Sequence, residues 1–115
     1  MANPVRKEVE LTLGSNVYVT RPTFARMTDF EIRVGKVWPT IKLLQANDYG
    51  LTDIVLMVTI MLRGVPGAPP PREVGDLVVE AGMVSFIGPI MTFLSYCLQT
   101  DEPKPAGADA DTEGN

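Results

Sequence analysis

An α+β fold is the expectation for this chain: an N-terminal β-hairpin, then a small bundle of four to five α-helices, then a disordered acidic tail. Three observations lead to it. Residues 8–13 and 17–21 alternate in polarity on either side of Gly14-Ser15-Asn16, as half-buried strands joined by a turn do. From residue 23 onward, apolar residues return at helical steps or fill helix-length runs, and Gly and Pro punctuate them. Beyond residue 100, Pro, Gly, Ala and acidic residues dominate, a composition that cannot bury a core. Residues 1–100 are thus expected to form one domain and 101–115 the tail.

The hairpin is expected over residues 5–21. Val9, Leu11 and Leu13 line one face of its first strand, with Glu8, Glu10 and Thr12 on the other. Tyr18 lies between Val17 and Val19, so the second strand is expected to be covered on both sides. Two strands alone are marginal in water, which places the hairpin against the helices.

Thr23 is the expected N-cap of the first helix. Phe24, Met27, Phe30, Val34 and Val37 form its apolar stripe, and Arg26, Asp29, Arg33 and Lys36 recur on the opposite face. Asp29 and Arg33 are spaced for an i,i+4 ion pair, and Gly35 suits the terminating position. Trp38-Pro39 opens a weaker second helix ending near Ala46, with a turn over Asn47-Asp48-Tyr49-Gly50. The third helix is expected to start from a Thr52 cap, to use Asp53 at its amino end, and to close at Arg63-Gly64. Only Thr59 interrupts its apolar run over residues 54–62. A helix apolar on every side is either the centre of a bundle or partly a docking surface. Both readings stay open, and the second makes Ile54, Met57, Val58, Met61 and Leu62 the candidate partner-binding residues. The proline-rich link of residues 65–71 has no helical interior. A fourth helix over residues 72–81 turns Val74, Leu77, Val78 and Ala81 inward and Glu73, Asp76 and Glu80 outward, with Gly82 ending it. The fifth is expected to start at Ser85 and reach Gln99, with a bend or a start delayed to Pro89.

Composition narrows function. The chain of 115 residues is 45% hydrophobic with mean hydropathy +0.11, rich for so small a surface. A net charge of −4 argues against a nucleic-acid binder that works by phosphate neutralisation. The charge is polarised: residues 1–42 hold seven Lys and Arg against four Asp and Glu, and residues 43–115 hold three against ten. Such polarity favours head-to-tail self-association, or reflects two solvated surfaces of opposite sign. Residues 81–100 carry no charge, but Gly, Ser, Thr, Pro and Gln dilute them and acids flank them, so a membrane span is not expected.

No catalytic constellation emerges. The chain has no histidine, which removes the usual neutral-pH proton shuttle and the commonest metal ligand. The single cysteine, Cys97, sits in an apolar helix and is expected to be a buried, inert thiol; a lone cysteine also suits the cytoplasm. Asp76 and Glu80 face outward as solvated charges. Gly64-Val65-Pro66-Gly67 lacks the Lys and hydroxyl of a phosphate loop. Asp109-Ala110-Asp111-Thr112-Glu113-Gly114 matches the opening of a calcium loop without the bidentate Glu of its far end, so a chance match is expected. No enzyme, cofactor or metal site is expected.

Several pieces, read in order, resemble the small tail protein family of gene transfer agents and related phages. They are Met1-Ala2-Asn3-Pro4, Glu8-Val9-Glu10-Leu11-Thr12-Leu13-Gly14, Arg21-Pro22-Thr23-Phe24-Ala25, Arg33-Val34-Gly35 and Glu73-Val74-Gly75-Asp76-Leu77-Val78-Val79-Glu80-Ala81-Gly82-Met83. The chain departs from the family pattern at Pro69-Pro70-Pro71, where a Ser or Thr cap is usual. The resemblance implies a phage tail assembly chaperone, which coats the helical tape measure protein and hands it over as tail tube subunits polymerise. Its implied partners are the tape measure protein, tube subunits and further copies of itself, in the host cytoplasm or associated with the virion. The alternatives are a minor structural tail protein retained in the particle and, behind it, a small membrane-associated protein.

Overall fold

A computed structural model describes residues 2–98 of the chain. The fold is α+β: an antiparallel hairpin, β1 (Val9–Leu13) and β2 (Asn16–Thr20), precedes five helices. These are α1 (Phe24–Arg33), α2 (Val37–Gln45), α3 (Leu51–Met61), α4 (Pro71–Ala81) and α5 (Ile87–Cys97). Single 3-10 turns cover Pro4–Arg6 and Met83–Phe86. The expected tail at 101–115, its calcium-like segment and the expected helix end at Gln99 lie outside the described residues.

The hairpin closes through a two-residue turn. Leu13 pairs with Asn16, and Gly14 takes φ +63°, the left-handed conformation that a Gly-first hairpin turn requires. Register then decides the faces. Val9, Leu11 and Leu13 share the inner face with Tyr18 and Thr20, whereas Glu10 and Thr12 lie opposite Val19 and Val17 on the outer one. The second strand is therefore not covered on both sides: Val17 and Val19 are exposed. The helices cover only the face that carries Val9, Leu11 and Leu13, so the alternate positions of β2 stay in solvent.

α1 begins at the expected Thr23 cap, the hydroxyl accepting the Arg26 N–H at 3.2 Å. Gly35 ends it at φ +146°, its N–H reaching back to the Phe30 carbonyl. Phe30 is wholly buried and Met27 and Val34 pack against the core, but Phe24 is 89% exposed and leaves the expected stripe. As the first helical residue it projects past the edge of the bundle. The third helix also starts differently. Its N-cap is Gly50, because the Asp53 carboxylate reaches back to accept the Gly50 N–H at 2.8 Å, and Thr52 becomes an exposed first-turn residue. α4 has Pro71 as its first residue, where a missing N–H costs nothing. Ala81, expected inside, is exposed beside the Gly82 turn. Gly82 has φ +89°, and a 3-10 turn follows in which the Ser85 hydroxyl donates to the Gly82 carbonyl. α5 consequently starts at Ile87, after Ser85 and before Pro89, which fits within its first turn.

The buried side chains form one cluster centred on α3, which packs against α1, α4 and α5. α5 bridges α2 and β1, and α4 also touches β1. The carboxyl end of α3 is held from two sides. The buried Thr20 hydroxyl donates to the Met61 carbonyl, and the Arg26 guanidinium donates twice to the Arg63 carbonyl, at 3.0 and 2.7 Å. Carbonyls at a helix end have no partner within the helix, so the hairpin and α1 supply what α3 lacks.

Candidate partner-binding surface

The five residues expected to dock a partner are in the core. Ile54, Met57, Val58, Met61 and Leu62 are all between 0% and 4% exposed. The docking surface expected on the third helix is thus corrected: α3 is the centre of the bundle, and these five side chains offer nothing to a partner in this conformation. The physical reason is position. α3 has α1, α4 and α5 around it, and what it leaves exposed is its first turn, Leu51, Thr52 and Asp53.

Apolar surface lies instead on the outside of α1. Phe24, Thr28 and Ile32 follow one another at steps of four, along one side of the helix. Phe24 is 89% and Ile32 77% exposed. Together with Ala25 and the turn at Arg63-Gly64 they line an open groove of about 660 Å³. A second groove of about 580 Å³ lies across Arg63 and Gly64, walled by Leu62, Val65 and the proline link. The Arg63-Gly64 turn, with Gly64 at φ +76°, is therefore a shared ridge.

A fixed polar frame holds that ridge. Asp29 accepts from Arg33 and from Arg63, both at 2.7 Å, so the expected i,i+4 pair is one arm of a three-residue bridge from α1 to the end of α3. Arg26 donates to the Arg21 carbonyl at 2.9 Å as well as to Arg63. Burial lowers the pKa of Arg26 from its ordinary value, and neighbouring Arg21 adds to the effect. The groove has apolar walls and a rim whose charges are already engaged. Such a surface suits the apolar face of an incoming helix better than a charged small molecule.

Cys97 is half-buried, not fully enclosed as expected. Burial pushes its thiol above the ordinary range, Glu31 adds to the rise and Lys7 opposes it. Among the described residues no group of three His, Cys, Asp or Glu could hold a metal ion. No single described helix is long and apolar enough to cross a membrane; α4 and the segment Met83–Cys97 meet at a bend of 109°. No family model, curated protein or solved structure matches this chain.

The α1 groove is legible in the sequence only in part. Phe24, Thr28 and Ile32 have the spacing, but Phe24 also fits the inner stripe and Ile32 stands between Glu31 and Arg33 in the sequence.

Proposed function

We propose that the chain is a noncatalytic tail morphogenesis protein, a tail assembly chaperone that holds the tape measure protein in the host cytoplasm while tube subunits polymerise around it. The ordered resemblance to small tail proteins motivates the reading. The observation that supports it best is the open groove on α1, where Phe24 and Ile32 stand in solvent above a fixed ridge. A long amphipathic helix presents its apolar side chains at the same steps of three and four, so it is the occupant whose chemistry and spacing fit this groove. Release requires an open and modest contact, not an enclosed one, and two aliphatic or aromatic anchors on a solvent-facing helix meet that need.

The test is co-expression with a tape measure fragment and pull-down, comparing the unaltered chain with Phe24→Ser/Ile32→Ser. Both side chains are exposed, so the variant keeps its fold by circular dichroism, and capture of the fragment should drop at least about tenfold. Undiminished capture by a folded variant removes the groove from the reading. Mass spectrometry of purified particles separates the chaperone from a structural tail protein: the chaperone is scarce in the finished particle, and a subunit present at stoichiometric amounts replaces this proposal.

A further inference from the structure

The polarised charge of the sequence resolves into two helix faces. On α2 the residues turned away from the core include Trp38, Lys42 and Leu43, with Lys36 at its N-cap. Residues 36–45 hold two lysines and no acid. On α4 the outward residues are Glu73, Asp76, Val79 and Glu80, joined by Arg72 in the first turn, so this face is acidic by two charges. Each face also exposes a large apolar residue, Trp38 at 62% and Val79 at 59%, with lysines around Trp38 and, around Val79, three acids against the single Arg72. No ion pair among the described residues engages Lys36, Lys42, Glu73, Asp76 or Glu80.

The spans match as well as the signs. Lys36 at the N-cap and Lys42 are six residues apart, about 9 Å along the axis, and Glu73 and Glu80 seven, about 10.5 Å, at 1.5 Å of rise per residue. The two faces belong to different parts of the bundle, since α2 packs chiefly on α5, and α4 on α3 and β1. A chain that carries two unlike, mutually complementary faces joins its copies heterologously, one face to the next copy's other face.

We propose that the α2 face of one copy binds the α4 face of another, Lys36 and Lys42 meeting Glu73, Asp76 and Glu80 around a contact of Trp38 with Val79. The pairing rests on charge and exposure alone and holds whether or not the chain binds a tape measure protein. The surface involved is small beside a permanent interface, so the contact is weak and reversible, and it weakens as salt screens it.

Sedimentation velocity of the full chain, from about 10 µM to about 1 mM at low and high salt, tests it. The mean mass should rise with concentration and fall back on adding salt. Lys36→Glu/Lys42→Glu and Asp76→Lys/Glu80→Lys should each weaken association at least about tenfold, and an equimolar mixture of the two should restore it, because each then supplies the sign the other lacks. Strict monomers throughout, association indifferent to salt, or loss in one variant only would each overturn the proposal. Loss on α2 alone means that another acidic segment occupies that face. Where a double variant fails to fold, the single exchanges Lys42→Glu and Glu80→Lys, both at exposed positions, take its place and should each weaken association, with the mixture again restoring it.

Discussion

α3 and the outer side of α1 are both rich in large apolar side chains, and only one of them is surface. α3 is the more hydrophobic by far, and its very lack of a polar side lets three helices pack around it. α1 is polar on average, yet it carries Phe24 and Ile32 into solvent. In a small domain the greasiest helix is the one most surrounded, because burying it removes the most apolar area from water. An interface is better sought as an apolar residue that a two-sided helix fails to hide.

The sharpest way to break that comparison is a charge in the core. Met61→Lys puts an ammonium where no partner exists and should cost about 4 kcal/mol or more, enough to lose the urea unfolding transition. A cooperative transition near that of the unaltered chain would mean that α3 is not the core. Within α1 the same residue type gives an internal control. Phe30→Ala should lower stability by about 3–5 kcal/mol, whereas Phe24→Ala should stay within about 0.5 kcal/mol. Equal costs in urea titrations would erase the distinction between the two sides of the helix.

A smaller effect probes how α3 is tied down. Thr20→Val keeps the shape but leaves the Met61 carbonyl without its donor, so stability should fall by about 1–2 kcal/mol. No change would mean that water or another donor takes over. The smallest effect concerns Cys97. Its raised pKa leaves less thiolate at a given pH than an unfolded thiol has, so alkylation at mildly alkaline pH should be slower in the native chain than in urea. The gap should narrow as pH climbs through the native value and both forms ionise. Faster native labelling would contradict the sign.

Much of the fold is readable in the sequence because local rules decide it. Thr23, Gly35 and Gly82 stand where caps and stops are wanted, and the alternation of Val9, Leu11 and Leu13 needs only one covered face. The differences share another cause. Val17 and Val19 read as buried because β-branched residues suit strands, yet whether a second layer covers them depends on the number of helices available. Thr52 competes locally as a cap and loses to the Asp53 carboxylate, whose reach back to Gly50 sets the start of α3. For Phe24 and the five apolar residues of α3 the only guide is periodicity, which gives the face of a helix but not what stands opposite it. The exposed apolar surface proposed for binding is therefore the least legible part.

Gly82 carries a further consequence. Its positive φ turns the chain through a corner between α4 and Met83–Cys97, two pieces that would together be long and apolar enough to span a bilayer if they ran straight. The corner instead lets both pieces turn their apolar sides to one core, Val74 and Val78 from the first and Phe86, Ile90, Phe93 and Leu94 from the second. A side chain at that position, as in Gly82→Ala, is strained at this backbone angle and works against the corner. One glycine, at ease with a backbone angle that side chains resist, thus marks the corner where this stretch is turned inward, so that Val78 before it and Ile90, Phe93 and Leu94 after it meet in the same interior.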